Sequence, residues 1–281
     1  MAKMLFCIQM EIKTVSVLGC GWFGLPFAKA LLAKGYIVKG STTSLAKLAK
    51  LREEGVEPFQ INLNEEADLP NNFFKTDVLV INIPPRAKTE SAISYPDKLK
   101  RIANAAVNVK QVIFISSTGV FEDGNFEVDE SVTPQPATEA GQALLAAEQV
   151  FSEDNRFVTT IIRFAGLLGP GRNLAKFFAE RNEVPNGKAP VNLIALQDCI
   201  GLCLHLLVTQ KFGEIYHGVS PHHPTREEFY TKLCEVSEMG KPIFKDELLE
   251  WKEINAANVW NKLGYDFKVK NWFDWMKTAS L

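Results

Sequence analysis

Between residues 14 and 162 the apolar positions fall into two alternating patterns. Short apolar runs at 15–18, 36–40, 58–63, 78–83, 112–116 and 157–162 lack clean polar alternation, as strands buried on both faces do. Between them, the stretches 25–34, 45–54, 95–107 and 143–151 repeat apolar residues at helical spacing. This order predicts an α/β fold, a Rossmann doubly wound parallel sheet with helices on both faces. After Arg163 the punctuation changes, with Gly166, Gly169, Pro170, Gly171 and Arg172 forming a turn-rich loop. A helix at 198–209, a strand at 214–219 and a helix at 225–238 then alternate less regularly. The expected organisation is an N-terminal extension at 1–12, a Rossmann domain at 13–165 and a smaller α/β lobe at 166–281. Met10 is a candidate translation start, because a strand begins almost immediately after it.

A length of 281 residues suits one large domain with a smaller attached lobe. The formal charge of −2, from 31 basic and 33 acidic residues, supplies no general field for nucleic acid or an anionic membrane, and neither is expected as a partner. The longest apolar run, 199–208, holds ten residues including His205, too short to span a bilayer. Residues 1–10 lack the long apolar region of a signal peptide. The five cysteines are odd in number and include no C-x-x-C pair, which argues against a disulfide framework and for a cytoplasmic location. Cys199, Cys203 and His205 read as helix-core residues, and His222-His223, between two prolines, as loop structure, so no metal is expected.

The candidate chemistry begins at the first strand end. Gly19-Cys20-Gly21-Trp22-Phe23-Gly24 is G-x-G-x-x-G at a strand-to-helix junction. There Gly19 permits the tight turn, Gly21 a close backbone approach to a pyrophosphate, and Gly24 close helix–strand packing. The free N–H groups and positive dipole end of the following helix favour phosphate without a lysine. An NAD-selective site places Asp or Glu about 20 residues on, to hold the ribose 2′-hydroxyl. Here the second strand ends Lys39-Gly40-Ser41-Thr42-Thr43-Ser44, and the first acid after it is Glu53. Hydroxyls and Lys47 can receive a 2′-phosphate, so NADP is the expected cofactor, with NAD possible; Thr43 or Ser44 can equally cap the next helix. The remaining expected cofactor contacts are Leu63, Ile83, Pro84, Pro85, Ser116 and Phe164, all near strand ends.

Further motifs agree in order with a known family. Ile115-Ser116-Ser117-Thr118-Gly119-Val120-Phe121 is similar to a strand-end Ser-Ser segment followed by Val-Tyr-Gly, with Phe121 in the Tyr position. Arg163-Phe164-Ala165-Gly166-Leu167-Leu168-Gly169-Pro170-Gly171 is similar to R-p-x-N-v-Y-G-P-G, and 191–200 to a segment ending in Asp, here Asp198. From Lys13 to about Asp266 the chain thus resembles the extended short-chain dehydrogenase/reductase superfamily, in its NAD-dependent epimerase/dehydratase branch. Its G-x-G-x-x-G, in place of the usual G-x-x-G-x-x-G, resembles an atypical subgroup. The resemblance implies Ser117 as the catalytic Ser/Thr.

It also implies a Tyr and a Lys four residues apart on one helix face, the Lys lowering a phenol pKa otherwise near about 10. Aligning Glu148 with the acid that follows the family Lys puts Leu144 in the Lys position and Ala140 in the Tyr position. Nor does any of the five tyrosines have Lys four residues on. Two functions follow as expectations. One is an NAD(P)-dependent oxidoreductase or epimerase-like enzyme acting on a small molecule, with Ser117, or more weakly Tyr95, as a non-standard proton donor. The other is an inactive NADP-sensing module. The substrate cleft is expected between the lobes, lined by Arg172, Asn173 and Asn192, with Arg172 available to an anionic group.

Overall fold

The computed structural model describes residues 11–85 and 94–279; the expected extension, the candidate start Met10 and Cys7 lie outside the described residues, save Glu11 and Ile12. Seven parallel strands form the main sheet: β1 (Thr14–Leu18), β2 (Ile37–Thr42), β3 (Glu57–Gln60), β4 (Val78–Ile81), β5 (Gln111–Ser117), β7 (Val158–Phe164) and β10 (Ile215–Gly218). The four short strands outside it are β6 (Phe126–Val128), β8 (Gly166–Leu168), β9 (Leu193–Ala195) and β11 (Lys252–Ile254). The order across the main sheet is β10-β7-β5-β4-β1-β2-β3. Strand β4, Val-Leu-Val-Ile, is buried at every position, which is what a central parallel strand covered on both faces requires.

Right-handed crossovers leave β1 and β4 in opposite directions, placing α1 (Gly24–Ala33) and α3 (Tyr95–Ala105) on opposite faces of the sheet. Helix α1 packs against α5 (Leu196–Thr209), and α3 against α4 (Glu139–Ser152). Helix α2 (Leu45–Glu53) covers β3. The crevice at the carboxyl ends of β1 and β4 is therefore the topological switch point, where ligands of such sheets bind. The strand expected within the smaller lobe, β10, joins the main sheet as an edge beside β7.

A second apolar cluster of Leu168, Val191, Leu193, Phe229, Leu233, Val269 and Trp272 lies beside the main core. It is built around α6 (Arg226–Val236), whose N-terminus is held by a Thr225/Glu228 capping box, and α7 (Trp272–Met276). Two links tie it to the rest of the fold. Strand β11 pairs with β6, and the buried Asp198 carboxylate accepts bonds from the Tyr265 hydroxyl (2.8 Å) and the Lys268 and Val269 N–H groups (2.7 and 3.0 Å).

Polar residues are buried in one row of the sheet. Ser116, Arg163 and His217 stand in register on β5, β7 and β10. Glu148 of α4 accepts from the Ser116 hydroxyl at 2.5 Å and from Arg163 Nε and Nη2 at 3.0 and 2.7 Å. The ion pair is almost fully buried, so its charges survive only because they are paired and bonded. His217 Nδ1–H donates to the Asn255 carbonyl at 3.1 Å, while Nε2 has no acceptor among the described residues for a second proton. Burial, and then the Arg163 cation, pull this imidazole down from 6.5 to about 4.

Because the unfolded chain takes up a proton that the fold excludes, His217 stabilises the protein above pH 6.5, and that contribution is lost as pH falls towards 4. It amounts to about 3 kcal/mol across the window. Denaturant titrations at pH 7 and pH 4.5 are expected to show wild type losing more stability than His217→Gln; equal losses refute the assignment.

Candidate functional site

At the end of β1 the chain turns at Gly19, whose φ of +101° suits glycine. A Cβ there would overlap the Asn82 carbonyl at the end of β4, and one at Gly24 would overlap the Gly19 carbonyl. Asn82 closes the seam, its Nδ2 donating to the Gly19 carbonyl (3.1 Å) and its backbone N–H to Leu18 (2.9 Å). From β2, Ser41 accepts the Gly19 N–H at its hydroxyl (2.9 Å) and the Cys20 N–H at its carbonyl (2.8 Å). Gly21, by contrast, faces open space. Helix α1 starts directly after the loop, with no side chain capping it and no acid in its first turn. Its N-terminal dipole end is thus available to an anion, and the cradle fits a pyrophosphate.

The loop opens into a cleft of about 230 Å³. Of the residues expected around a cofactor, Gly19, Cys20, Gly21, Ser41, Thr42, Thr43, Leu63, Ile83 and Pro84 line it. Lys47 lines it too, as do Asn62, Asn82, Tyr95 and Lys98, and no carboxylate stands among the described lining residues. Of these, Asn62 and Lys98 escape a reading of the sequence. Asn62 falls inside the apolar run 58–63 but lies beyond β3, which stops at Gln60, and Lys98 becomes visible only because Tyr95, three residues before it on α3, shares its face.

Other expected contacts stand elsewhere. Phe23 and Phe164 are buried and pack edge to face at 5.4 Å, supporting the loop from below. Trp22 turns away to the loop after β8, Ser116 is bonded to Glu148, and Pro85 is half-buried beside the cleft lining. Cys20 lines the cleft but turns its thiol inward to the Val17 carbonyl, and burial pushes that thiol up to about 12, which leaves it unreactive.

On the far side of the sheet crevice, Ser117 ends β5 half-buried, and its Oγ accepts the Gly119 N–H at 3.1 Å. That bond leaves the hydroxyl proton to be donated elsewhere. Tyr95 donates its hydroxyl to the Ile83 carbonyl at 2.6 Å. Burial, and then the Glu148 charge, push its phenol well above the ordinary range, so it holds its proton rather than shuttling it. Ala140 and Leu144 lie on α4, half-buried and buried. The helix approaches the β5 turn so closely that a Cβ on Gly141 would meet the Gly119 carbonyl. Neither dyad position carries a protonatable group.

Arg172 is exposed, with its guanidinium over the Trp22 ring. The Asn173 amide donates to the Ser237 hydroxyl (2.8 Å) and its carbonyl accepts the Ala175 N–H (2.9 Å). Asn192 bridges β9 to β11, donating to the Lys252 carbonyl and accepting the Ile254 N–H, both at 2.8 Å. Both amides are therefore engaged in bonds to neighbouring chain. His222 Nδ1 accepts the Trp272 N–H at 3.0 Å, and His223 Nδ1–H donates to the Val191 carbonyl at 3.1 Å. Among the described residues no helix is long and apolar enough to cross a membrane.

Comparison with known proteins agrees with this geometry. Protein YeeZ of Escherichia coli K12 is 31% identical over 265 residues, covering 92% of this chain and 96% of its own length. Among solved structures, a UDP-glucuronic acid 4-epimerase from Bacillus cereus, in complex with UDP-glucuronic acid and NAD, superposes with a TM-score of 0.78 at 17% identity, over 95% of this chain and 97% of its own. The human epimerase family protein SDR39U1 with NADPH gives 0.75 at 15%, over 95% and 98%. A conserved protein of unknown function from Silicibacter pomeroyi gives 0.76 at 19%, over 94% and 97%. These establish the fold as that of the epimerase-type extended short-chain dehydrogenase/reductases. Residues 19–196, which run from the glycine turn to the start of α5, match the NAD(P)H-binding family, and the chain belongs to it.

Proposed function

We propose that the protein binds NADP(H) in preference to NAD(H) and carries out oxidoreductase-type chemistry on a small molecule, with Ser117 as proton donor. The observation that carries the cofactor choice is the end of β2, where Ser41, Thr42, Thr43 and Lys47 line the cleft without an acid. A carboxylate in that place would repel a 2′-phosphate, whereas hydroxyls and an ammonium attract it. Gly19, Gly21 and the start of α1 would hold the pyrophosphate, and Asn62, Leu63 and Ile83 the adenosine end. When bound, the nicotinamide supplies a hydride donor or acceptor. Ser117 lies at the carboxyl end of β5 with its hydroxyl oriented by the Gly119 N–H, and Arg172 offers a cation for an anionic group of the substrate. Ala140 and Leu144 favour a second reading, a dinucleotide-sensing module that keeps the fold without the reaction.

Calorimetric titration is expected to give NADP(H) roughly tenfold tighter binding than NAD(H), about 1.4 kcal/mol, because no arginine grips the phosphate in two-point fashion. Tighter NAD(H) would refute the preference. Gly21→Glu, which sets a carboxylate in the open mouth of the cradle, is expected to remove binding of both.

Hydride transfer followed at 340 nm with a panel of carbonyl compounds separates the two readings. Well-placed acid–base groups supply about 10²–10⁴-fold in rate, so slow wild-type turnover that Ser117→Ala abolishes supports the enzyme. Ala140→Tyr with Leu144→Lys is expected to raise it. No turnover beside tight NADPH binding supports the sensor, and rapid turnover that survives Ser117→Ala places the catalytic group elsewhere.

A further inference from the structure

The glycine loop carries one side chain that lines no part of the cleft and packs on the core while only partly buried. Trp22 stands between Gly21 and Gly24, yet its indole Nε1–H donates to the Pro170 carbonyl at 2.8 Å. The Arg172 guanidinium lies 5.4 Å from the centroid of the same ring. The backbone of Gly169 backs onto the ring edge, where an added Cβ would sit 3.3 Å from Cζ2. One indole thus touches three residues of the 169–172 turn by three different interactions. The turn is tight in itself: the Arg172 N–H donates to the Gly169 carbonyl at 2.9 Å, and Gly171 has a φ of +71°. At the other end, Trp22 is continuous with Phe23, which is buried against Phe27 and Phe164, so the loop side of the joint is anchored in the core. An exposed arginine samples many rotamers unless something restrains it, and a ring beneath the guanidinium does so.

We propose that Trp22 is a positioning residue that couples the glycine loop to the substrate side. A dinucleotide seated on the loop restrains Trp22, and through it the 169–172 turn and Arg172. The inference rests on the reading that the loop holds a dinucleotide, but it goes beyond that reading by assigning a mechanical link between cofactor occupancy and the turn.

The test is hydrogen–deuterium exchange with and without saturating NADPH, in wild type, Trp22→Phe and Trp22→Leu, each checked for fold by circular dichroism. In wild type NADPH is expected to slow exchange both at 19–24 and at 169–174. Trp22→Phe keeps a ring under Arg172 but loses the indole bond, and the NADPH-dependent protection of the turn is expected to fall about fivefold. Trp22→Leu loses both contacts, and that protection is expected to fall about tenfold or more, while protection of the loop persists. Turn protection in Trp22→Leu equal to wild type would overturn the coupling. So would a wild-type turn indifferent to NADPH while the loop is protected. Protection of neither segment in wild type would overturn the cofactor reading itself, and the coupling with it. Trp22→Phe keeps the question answerable if Trp22→Leu does not fold.

Discussion

Backbone meets backbone at the switch point of the sheet, and most of the site follows from that contact. The Gly19 turn touches the carbonyl of Asn82, and the Gly24 backbone touches the carbonyl of Gly19, distances that leave no room for a Cβ at either glycine. Because the two strand ends are pressed together, the first turn of α1 is aimed over them and the Asn82 amide can reach across to the Gly19 carbonyl. Ser41 completes the arrangement from the opposite neighbour, taking two successive N–H groups of the loop. The cradle is thus made almost wholly of main chain, and its electrostatics come from a helix end rather than from a charged side chain.

A different kind of order lies beneath the other half of the crevice. Glu148, Arg163 and Ser116 are buried together, with Glu148 one helical turn beyond Leu144 on α4. Such a pair is expensive to desolvate and is held by its geometry, with both Glu148 oxygens accepting from the guanidinium. Its charges are spent on each other, so they stiffen the contact between α4 and the sheet without offering a proton to the cleft. Tyr95 is affected in the same direction: burial, and then the negative charge of Glu148, keep its phenol protonated. On the same helix, Ala140 and Leu144 bring no acid–base side chain to this part of the crevice.

The second apolar cluster is joined to the main core at several points of unlike chemistry. Asp198 gathers a hydroxyl and two N–H groups from residues 265–269, Asn192 bridges β9 to β11, and Trp22 meets the 169–172 turn. Asn192 and Asn173 carry the residue type expected of substrate ligands, and both amides are engaged by neighbouring chain, at Lys252 and Ser237. A polar side chain in a predicted cleft can equally satisfy a loop's own backbone, and burial of that backbone makes the second use hard to forgo.

Residue order by itself determined the alternation of strands and helices, the glycine turn with its helix, the missing acid after β2 and the missing Tyr-Lys pair. Each of these is local: a hydrophobic period, a turn that only glycine fits, or a residue type at a fixed offset. Strand ends drifted by two or three residues, as at Leu63, because pairing with a neighbour rather than composition decides where a strand stops. The membership of β10 in the main sheet, the in-register row of Ser116, Arg163 and His217, the placement of Lys98 in the cleft and the reach of Trp22 to Pro170 were decided only by tertiary structure. They join residues that are far apart in the chain, and no periodicity or spacing records a contact that exists only once two separately folded segments have packed together.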